Sequence, residues 1–264
     1  MNGRAAIRSA ARTIDRVTPA RDGLVVLIYH RVGGGSPSAV DLDIAVFREQ
    51  MRVLAEQHTV LSLRDAVDAL AAGHRPTGVV ITFDDGAADY CEHAVPAMVE
   101  VGLPSTLYLV TSAPDAGRLP WDVPAASWSA LREATATDLV DVQSHTHDHR
   151  LLHHATPTEA NDQLDRSIAA IETQLGYTPQ HFAYPKAVAG NRAARTAVAE
   201  RFRSAAVAGH RVNRGARDLQ HLGRVPISRA DDLATFRRKV AGGLRVEGIA
   251  RDLYDRWRYR GATT

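Results

Sequence analysis

Thr82-Phe83-Asp84-Asp85-Gly86 follows a short apolar run at residues 78–81 and is the stretch on which the fold prediction depends. The β-branched run is typical of a buried strand, so the two aspartates stand where a strand ends. Two adjacent carboxylates repel each other, and neither is stable near a core without a partner. A metal ion would neutralise one carboxylate and leave the other free to act as a base.

Ser144-His145-Thr146-His147-Asp148-His149 offers further ligands for such an ion. His145 and His149 are four residues apart, so a helical turn or a tight loop can direct both rings at one ion. One carboxylate oxygen and two imidazole nitrogens leave a coordination position for water. Oxygen and nitrogen ligands without thiolate suit Zn²⁺ first, and also Co²⁺, Ni²⁺ or Mn²⁺.

The two segments together resemble the polysaccharide deacetylase family, the carbohydrate esterases with a NodB-type domain. Residues 82–86 match the family's first motif, T-F-D-D-G, and residues 145–149 match its second, H-[ST]-x-x-H. Both motifs are intact and in the family's order, which makes the pair far more specific than either alone. The resemblance implies one divalent ion with the ligands Asp85, His145 and His149.

The resemblance also implies the reaction, which is removal of an N-acetyl group from a sugar or glycan. The ion would lower the pKa of its water, and Asp84 would take the proton as that water attacks the acetamide. The segment Tyr29-His30 resembles the Y-H motif of one branch, in which the histidine is the general acid. His210 and His221 lie where other members carry that acid, but neither sits in a matching motif, so His30 is the predicted acid.

The third family motif, R-x-P-Y, is altered here and aligns with Ala183-Tyr184-Pro185-Lys186. Because the proline is kept, the backbone N–H of Lys186 is predicted to bind the oxyanion, while its side chain favours a phosphate or carboxylate nearby. The missing arginine usually braces the catalytic aspartate. Arg224, in a late strand-like segment, is the hypothesised replacement.

Strand-like and helix-like segments alternate along the chain, which predicts a parallel sheet or barrel with helices outside. Periodicity alone does not separate a barrel from a doubly wound sheet. The resemblance narrows the fold to an α/β distorted (β/α) barrel with fewer than eight regular strands, whose strand ends meet on one face. The predicted strands are 24–30, 78–81, 105–110, 140–144, 181–184, 204–207 and 223–227, and the predicted helices are 62–71, 88–101, 128–133, 156–175, 233–241, 246–259 and one that starts at residue 191.

Composition limits the number of domains, the partners and the cellular compartment that the sequence allows. The 264 residues are 45% hydrophobic, which suits a single domain at 22–264 preceded by an Arg-rich helix or extension at 1–21. The 32 basic and 30 acidic residues give no reason to expect nucleic acid as a partner. The single cysteine, Cys91, fits a reducing compartment, and no signal-peptide or membrane-span pattern appears. We therefore expect a cytoplasmic protein, with weak membrane-surface contact through 1–21 as an alternative to a packed helix.

Three functions remain open from the sequence. The first is a metal-dependent N-deacetylase acting on an N-acetylated sugar or glycan. The second is a metal-dependent amide or ester hydrolase on a non-carbohydrate or lipid-linked substrate, which the altered third motif allows. The third is a non-catalytic glycan-binding relative, which is disfavoured because Asp84 and the implied ligands are all kept. The aromatic candidates for sugar contact are Trp121, Trp128, Tyr29 and Tyr184, of which Trp128 is predicted to lie in the core.

Overall fold

Seven parallel strands close into a barrel in the structure, a computed structural model that describes residues 22–243. The strands are β1 (Leu24–Tyr29), β2 (Arg31–Val32), β3 (Asp41–Leu42), β4 (Gly78–Asp85), β5 (Ser105–Leu109), β6 (Val140–Ser144), β7 (His181–Ala183), β8 (Ser204–Ala208) and β9 (Leu222–Pro226). The barrel runs in the order β1, β4, β5, β6, β7, β8, β9, and β2 and β3 form a separate pair. The predicted (β/α) barrel with fewer than eight strands is confirmed, and the doubly wound sheet is excluded.

Helices surround this barrel and connect most of its strands. They are α1 (Ile44–Gln57), α2 (Leu63–Ala71), α3 (Val95–Val99), α4 (Ala113–Ala116), α5 (Trp128–Thr135), α6 (Pro157–Leu175), α7 (Arg192–Arg201) and α8 (Leu233–Val240). The start of α6 follows directly from its sequence. The Thr156 side chain accepts a hydrogen bond from the Glu159 N–H, and the Glu159 side chain accepts one from the Thr156 N–H, which completes a capping box. At the other end, Gly176 ends the helix with φ 80°.

The helix predicted over 88–101 is present over residues 88–99, but it is not α-helical throughout. Residues 88–89 are α-helical, a π-helix occupies Tyr90–Ala94, and α3 follows. The Val95 N–H donates to the Tyr90 carbonyl, five residues back. Pro96 explains the wider turn, because it has no N–H to donate and its ring crowds the carbonyl four residues earlier.

The strand predicted over 78–81 is too short, because β4 continues through the two aspartates. Residues Thr82 to Asp85 pair in register with Thr106 to Leu109 of β5. Successive side chains of a strand point to opposite sides, so Asp84 shares its side with Thr82, whereas Phe83 points the other way. The strands predicted at 24–30 and 181–184 are each one residue shorter in the structure.

The core has an outer aromatic layer and a more polar interior. Phe83 packs under the helices against Tyr29 and Tyr90, with ring centroids 5.2 and 4.8 Å apart. The other side of β4 faces the barrel interior. Strand β1 lies between β4 and β9, so inward side chains of those two strands meet across it. Trp128 is buried, as predicted.

Two predicted segments lie outside the described residues: the Arg-rich helix or extension at 1–21, with its membrane contact, and the helix at 246–259. The proposed domain start at residue 22 coincides with the first described residue and stays a prediction. Within residues 22–243, no helix is both long and apolar enough to cross a membrane.

Candidate metal centre

Three side chains from two strand ends converge at the carboxyl end of the barrel. Asp85 is the last residue of β4, His145 directly follows β6, and His149 lies four residues later in a loop. One donor atom from each of the three lies within 4.8 Å of the other two. The Asp85 Oδ1 atom is 3.5 Å from His145 Nε2 and 3.4 Å from His149 Nε2.

These separations fit a metal ion better than they fit direct hydrogen bonds. Nitrogen and oxygen ligands about 2.1 Å from a tetrahedral ion lie about 3.4 Å from each other. A direct N–H···O hydrogen bond would instead bring the atoms to about 2.9 Å. Two imidazoles and one carboxylate form a donor set suited to Zn²⁺ and to its neighbours in the first transition row. The residues present therefore fit the implied ion.

The backbone around the three donors is held in left-handed conformations. Asp85, Thr146 and His149 have φ values of 76°, 67° and 58°. Non-glycine residues adopt such values rarely and at a cost, and they concentrate at functional sites. Gly86 follows at φ 95°, and a Cβ there would lie 2.4 Å from a methyl group of Leu109. Only glycine therefore permits the turn that aims Asp85 at the histidines.

The tautomer of His145 is fixed by a backbone carbonyl. Its Nδ1 atom lies 2.7 Å from the Ala183 oxygen, which can only accept, so Nδ1 carries the proton. The lone pair of Nε2 then faces Asp85, as a metal ligand requires. Asp148, which lies beside His149 in sequence, accepts a hydrogen bond from Gln163 at 2.9 Å.

His149 is also held in its neutral form. Burial lowers the pKa of His149 to about 3, and the charges of His145 and Lys186 act in the same direction. The edge of its ring meets the indole of Trp121 at a centroid distance of 4.9 Å. Trp121 lies in the loop between α4 and α5, which therefore borders the site.

Asp84 does not join the three donors but binds Arg224 inside the barrel. The guanidinium reaches both carboxylate oxygens, with NH1 2.5 Å from Oδ1 and NH2 2.8 Å from Oδ2. Arg224 is fully buried, and Asp84 is only 2% exposed. NH1 also donates to the Thr82 hydroxyl at 3.2 Å, and that hydroxyl donates to the Leu27 carbonyl at 2.6 Å.

Both aspartates stay ionised despite their burial. Desolvation raises the pKa of Asp84, but the charge of Arg224, with that of His145, outweighs it and holds the pKa below its usual value. Desolvation likewise raises the pKa of Asp85, but the nearby rings of His145, His30 and His149 outweigh it and hold the pKa well below its usual value. Asp84 Oδ2 lies 3.8 Å from His145 Nε2, so the two carboxylates meet on either side of one imidazole.

His30 and Lys186 complete the set of predicted site residues. His30 follows β1, close enough for its charge to lower the pKa of both aspartates. Its Nδ1 atom is buried and has no hydrogen-bond partner among residues 22–243. Lys186 lies in the turn after β7, with its ammonium 5.1 Å from the centroid of the Trp121 ring.

Two contributors to the site do not follow from the sequence. Tyr108 lies opposite Asp84 in the β4–β5 register, and its ring faces the guanidinium carbon of Arg224 at 5.1 Å. The Ala183 carbonyl orients His145 from the strand beside it. Only strand register could have indicated either contact, and register is not readable from one sequence.

The sequence model of the polysaccharide deacetylase family matches residues 72–205, just over half of the chain. The chain belongs to the polysaccharide deacetylase family. The matched region includes the Asp-Asp pair, both candidate histidine ligands and Lys186, whereas His30 and Arg224 lie outside it. A comparison with curated proteins returned no match.

Solved structures similar to this family member share its fold. A Streptococcus pyogenes deacetylase, PplD, crystallised with acetate, aligns with a TM-score of 0.75 at 20% identity, over 84% of this chain and 99% of its own. IcaB from Ammonifex degensii aligns with a TM-score of 0.73 at 26% identity, over 86% and 100%. The polysaccharide deacetylase BC0361 from Bacillus cereus aligns with a TM-score of 0.71 at 20% identity, over 84% and 69%.

We expect His149→Ala to lower the metal affinity of this deacetylase-family protein by about 100-fold or more, since it removes one of three ligands. The measurement is bound metal per protein after dialysis against a series of buffered free Zn²⁺ concentrations.

His147→Ala is the matched control, because His147 lies between the two candidate ligands in sequence but instead bonds Thr111 at 2.9 Å. Its metal affinity should be unchanged. Equal losses in the two variants would exclude His149 as a specific ligand.

Proposed function

We propose that this protein is a metal-dependent hydrolase that removes the acetyl group from an N-acetylated sugar or glycan. Membership of the polysaccharide deacetylase family supports the substrate class. The observation that carries the proposal is the pairing of an ion-sized cluster of donors with a separate buried carboxylate, Asp84, whose ionisation is secured by Arg224. When bound, a divalent ion would activate water for attack and polarise the acetamide carbonyl.

In this proposal Asp84 is the general base. Its two oxygens accept hydrogen bonds from Arg224, yet each carboxylate oxygen has a second lone pair that can receive a proton. Burial keeps bulk water away, and the fixed guanidinium holds the carboxylate in one orientation. A positioned base of this kind contributes about 10²- to 10⁴-fold to the rate.

His30 is the proposed general acid, and this assignment places the chain in the branch with an N-terminal Y-H motif. An acid must deliver a proton to the leaving amine, so it needs a ring nitrogen that the protein does not already use. The unpartnered Nδ1 of His30, near both aspartates, supports that role. The backbone N–H of Lys186 is the proposed donor to the oxyanion, because its turn lies beside His149 and Trp121.

The proposal predicts acetate release from N-acetylglucosamine oligomers by protein loaded with Zn²⁺ or Co²⁺, and loss of that release with a chelator. Asp84→Asn should keep the metal but lose activity by about 100-fold or more, because it removes a base and no ligand. Acetate is measured enzymatically and metal by elemental analysis on the same samples.

Undiminished turnover in Asp84→Asn would refute the base assignment. Bound metal with no acetate from any N-acetylated sugar would refute the deacetylase proposal and favour the amide hydrolase acting on another class of substrate.

His30→Ala should slow cleavage of an acetamide by about 100-fold but slow cleavage of an activated acetate ester far less. The amine must be protonated to leave, whereas a phenolate leaving group needs no proton. The two substrates are compared as kcat ratios at one pH. An equal loss of kcat on the acetamide and on the ester would show that His30 has a structural or substrate-binding role.

Arg224→Met should also cut turnover strongly while metal content holds, because the buried Asp84 then loses its counter-charge and its pKa rises. Removing one partner of a buried ion pair costs about 3–5 kcal/mol, so this variant should also unfold at lower urea concentration.

The double variant Arg224→Met/Asp84→Asn separates the two effects. It leaves no unpaired charge, so the free energy of unfolding should recover while activity stays low. Wild-type turnover in the single variant Arg224→Met would show that Arg224 has no part in the mechanism.

A further inference from the structure

Lys186 is an unusual residue in this chain. Of the 32 lysines and arginines, only two are lysines. The other, Lys239, is buried and binds Asp231 and the Pro226 carbonyl, so it has a structural role. Lys186 is exposed, and it stands at the rim of the candidate metal centre.

The position of its ammonium is defined by Trp121. Nζ lies 5.1 Å from the ring centroid, and the same indole meets the His149 ring at 4.9 Å. The indole of Trp121 therefore contacts both the ammonium and one of the three candidate ligands. The charge of Lys186 reaches His149 strongly enough to lower its pKa.

Both side chains stand on tight turns that fix their direction. Lys186 and Ala187 each have φ 55°, and the Ala187 N–H donates to the Tyr184 carbonyl at 2.8 Å. Trp121 lies in a turn closed by the Leu119 N–H and the Val123 carbonyl at 2.8 Å. Two successive left-handed residues are rare outside glycine and persist only where their surroundings enforce them, so this turn holds Lys186 where relaxed backbone would not.

The ammonium has binding capacity left for a ligand. It carries three N–H donors, and contact with one aromatic face leaves donors free. No carboxylate of residues 22–243 lies within 4 Å of it as an ion-pair partner. Trp121 keeps 39% of its surface exposed, which offers an apolar face beside the charge.

From these contacts we propose that Lys186 and Trp121 form a subsite for an anionic group, so that the substrate is an N-acetylated sugar bearing a phosphate or carboxylate. The inference rests on the proposed function, because an acetamide at Asp85, His145 and His149 places the rest of its sugar against this rim. A compact, strongly hydrated ammonium binds such groups as a point charge. A neutral glycan would gain nothing from it.

The test compares substrates that differ only in charge at one position: the methyl glycoside of N-acetylglucosamine, its 6-phosphate and the corresponding 6-carboxylate. N-acetylglucosamine 1-phosphate adds an anion at the other end of the ring. For the metal-loaded wild type, kcat/KM should be higher for at least one anionic sugar than for the neutral glycoside. Which sugar is favoured distinguishes phosphate from carboxylate as the recognised group.

Lys186→Met should lower the ratio of kcat/KM for the favoured anionic sugar to kcat/KM for the neutral glycoside by about tenfold, since one charge-assisted contact is lost. Lys186→Arg should restore most of the preference. Arg52→Met, which removes one positive charge from the exposed face of α1, is the matched control and should change neither rate.

Two outcomes would overturn the inference. A wild type that deacetylates neutral and anionic sugars equally would refute it while leaving the proposed function intact, and so would a preference unchanged in Lys186→Met. Absence of deacetylation of every sugar would refute the proposed function itself.

A second measurement does not depend on turnover. Lysine acylation followed by peptide mass spectrometry should modify Lys186, with buried Lys239 as the internal reference. N-acetylglucosamine 6-phosphate or inorganic phosphate should slow modification of Lys186, and the neutral glycoside should not. Equal rates with and without the anions would exclude an anion at this lysine.

Discussion

The buried ion pair between Asp84 and Arg224 is the interaction on which the site depends. The proposed base, Asp84, must be ionised, and a carboxylate that is 2% exposed is not stable in its ionised form without a partner. Arg224, 140 residues away in sequence, supplies the charge through two hydrogen bonds. The barrel makes this possible because β1 places β4 and β9 on its two sides, with their inward side chains facing each other.

Backbone geometry then gives the two neighbouring aspartates different partners. In a regular extended strand, Asp84 and Asp85 would point to opposite sides. Asp84 keeps the strand conformation and faces Arg224. Asp85 turns to φ 76° and faces the two histidines, which Gly86 permits by having no Cβ. A motif of five residues thus produces a carboxylate bound to arginine and another available to an ion.

The sequence predicted what depends on local chemistry. The helix that starts at Thr156, the strand–helix alternation and the spacing of His145 and His149 are local, and the barrel follows from them with the family resemblance. The π-helix before Pro96 was missed because a single proline changed the hydrogen-bond spacing within an otherwise helical pattern. Tyr108 under Arg224 was missed because the contact depends on the register between β4 and β5, which propensity does not determine.

Conformational strain links the candidate metal centre to its rim. Of the non-glycine residues with positive φ in the described structure, Asp85, Thr146 and His149 aim the donors, and Lys186 and Ala187 form the turn beside Trp121. Each left-handed residue costs free energy that the surrounding packing must offset, so a turn with two of them persists only where its direction matters or where neighbours enforce it. Both conditions apply to the turn at Lys186, because Pro185 restricts its backbone and the indole of Trp121 contacts the ammonium beside His149. Under the proposed function, this one turn would present both a backbone N–H to the oxyanion and a positive charge to the sugar, so it would couple catalysis and substrate choice.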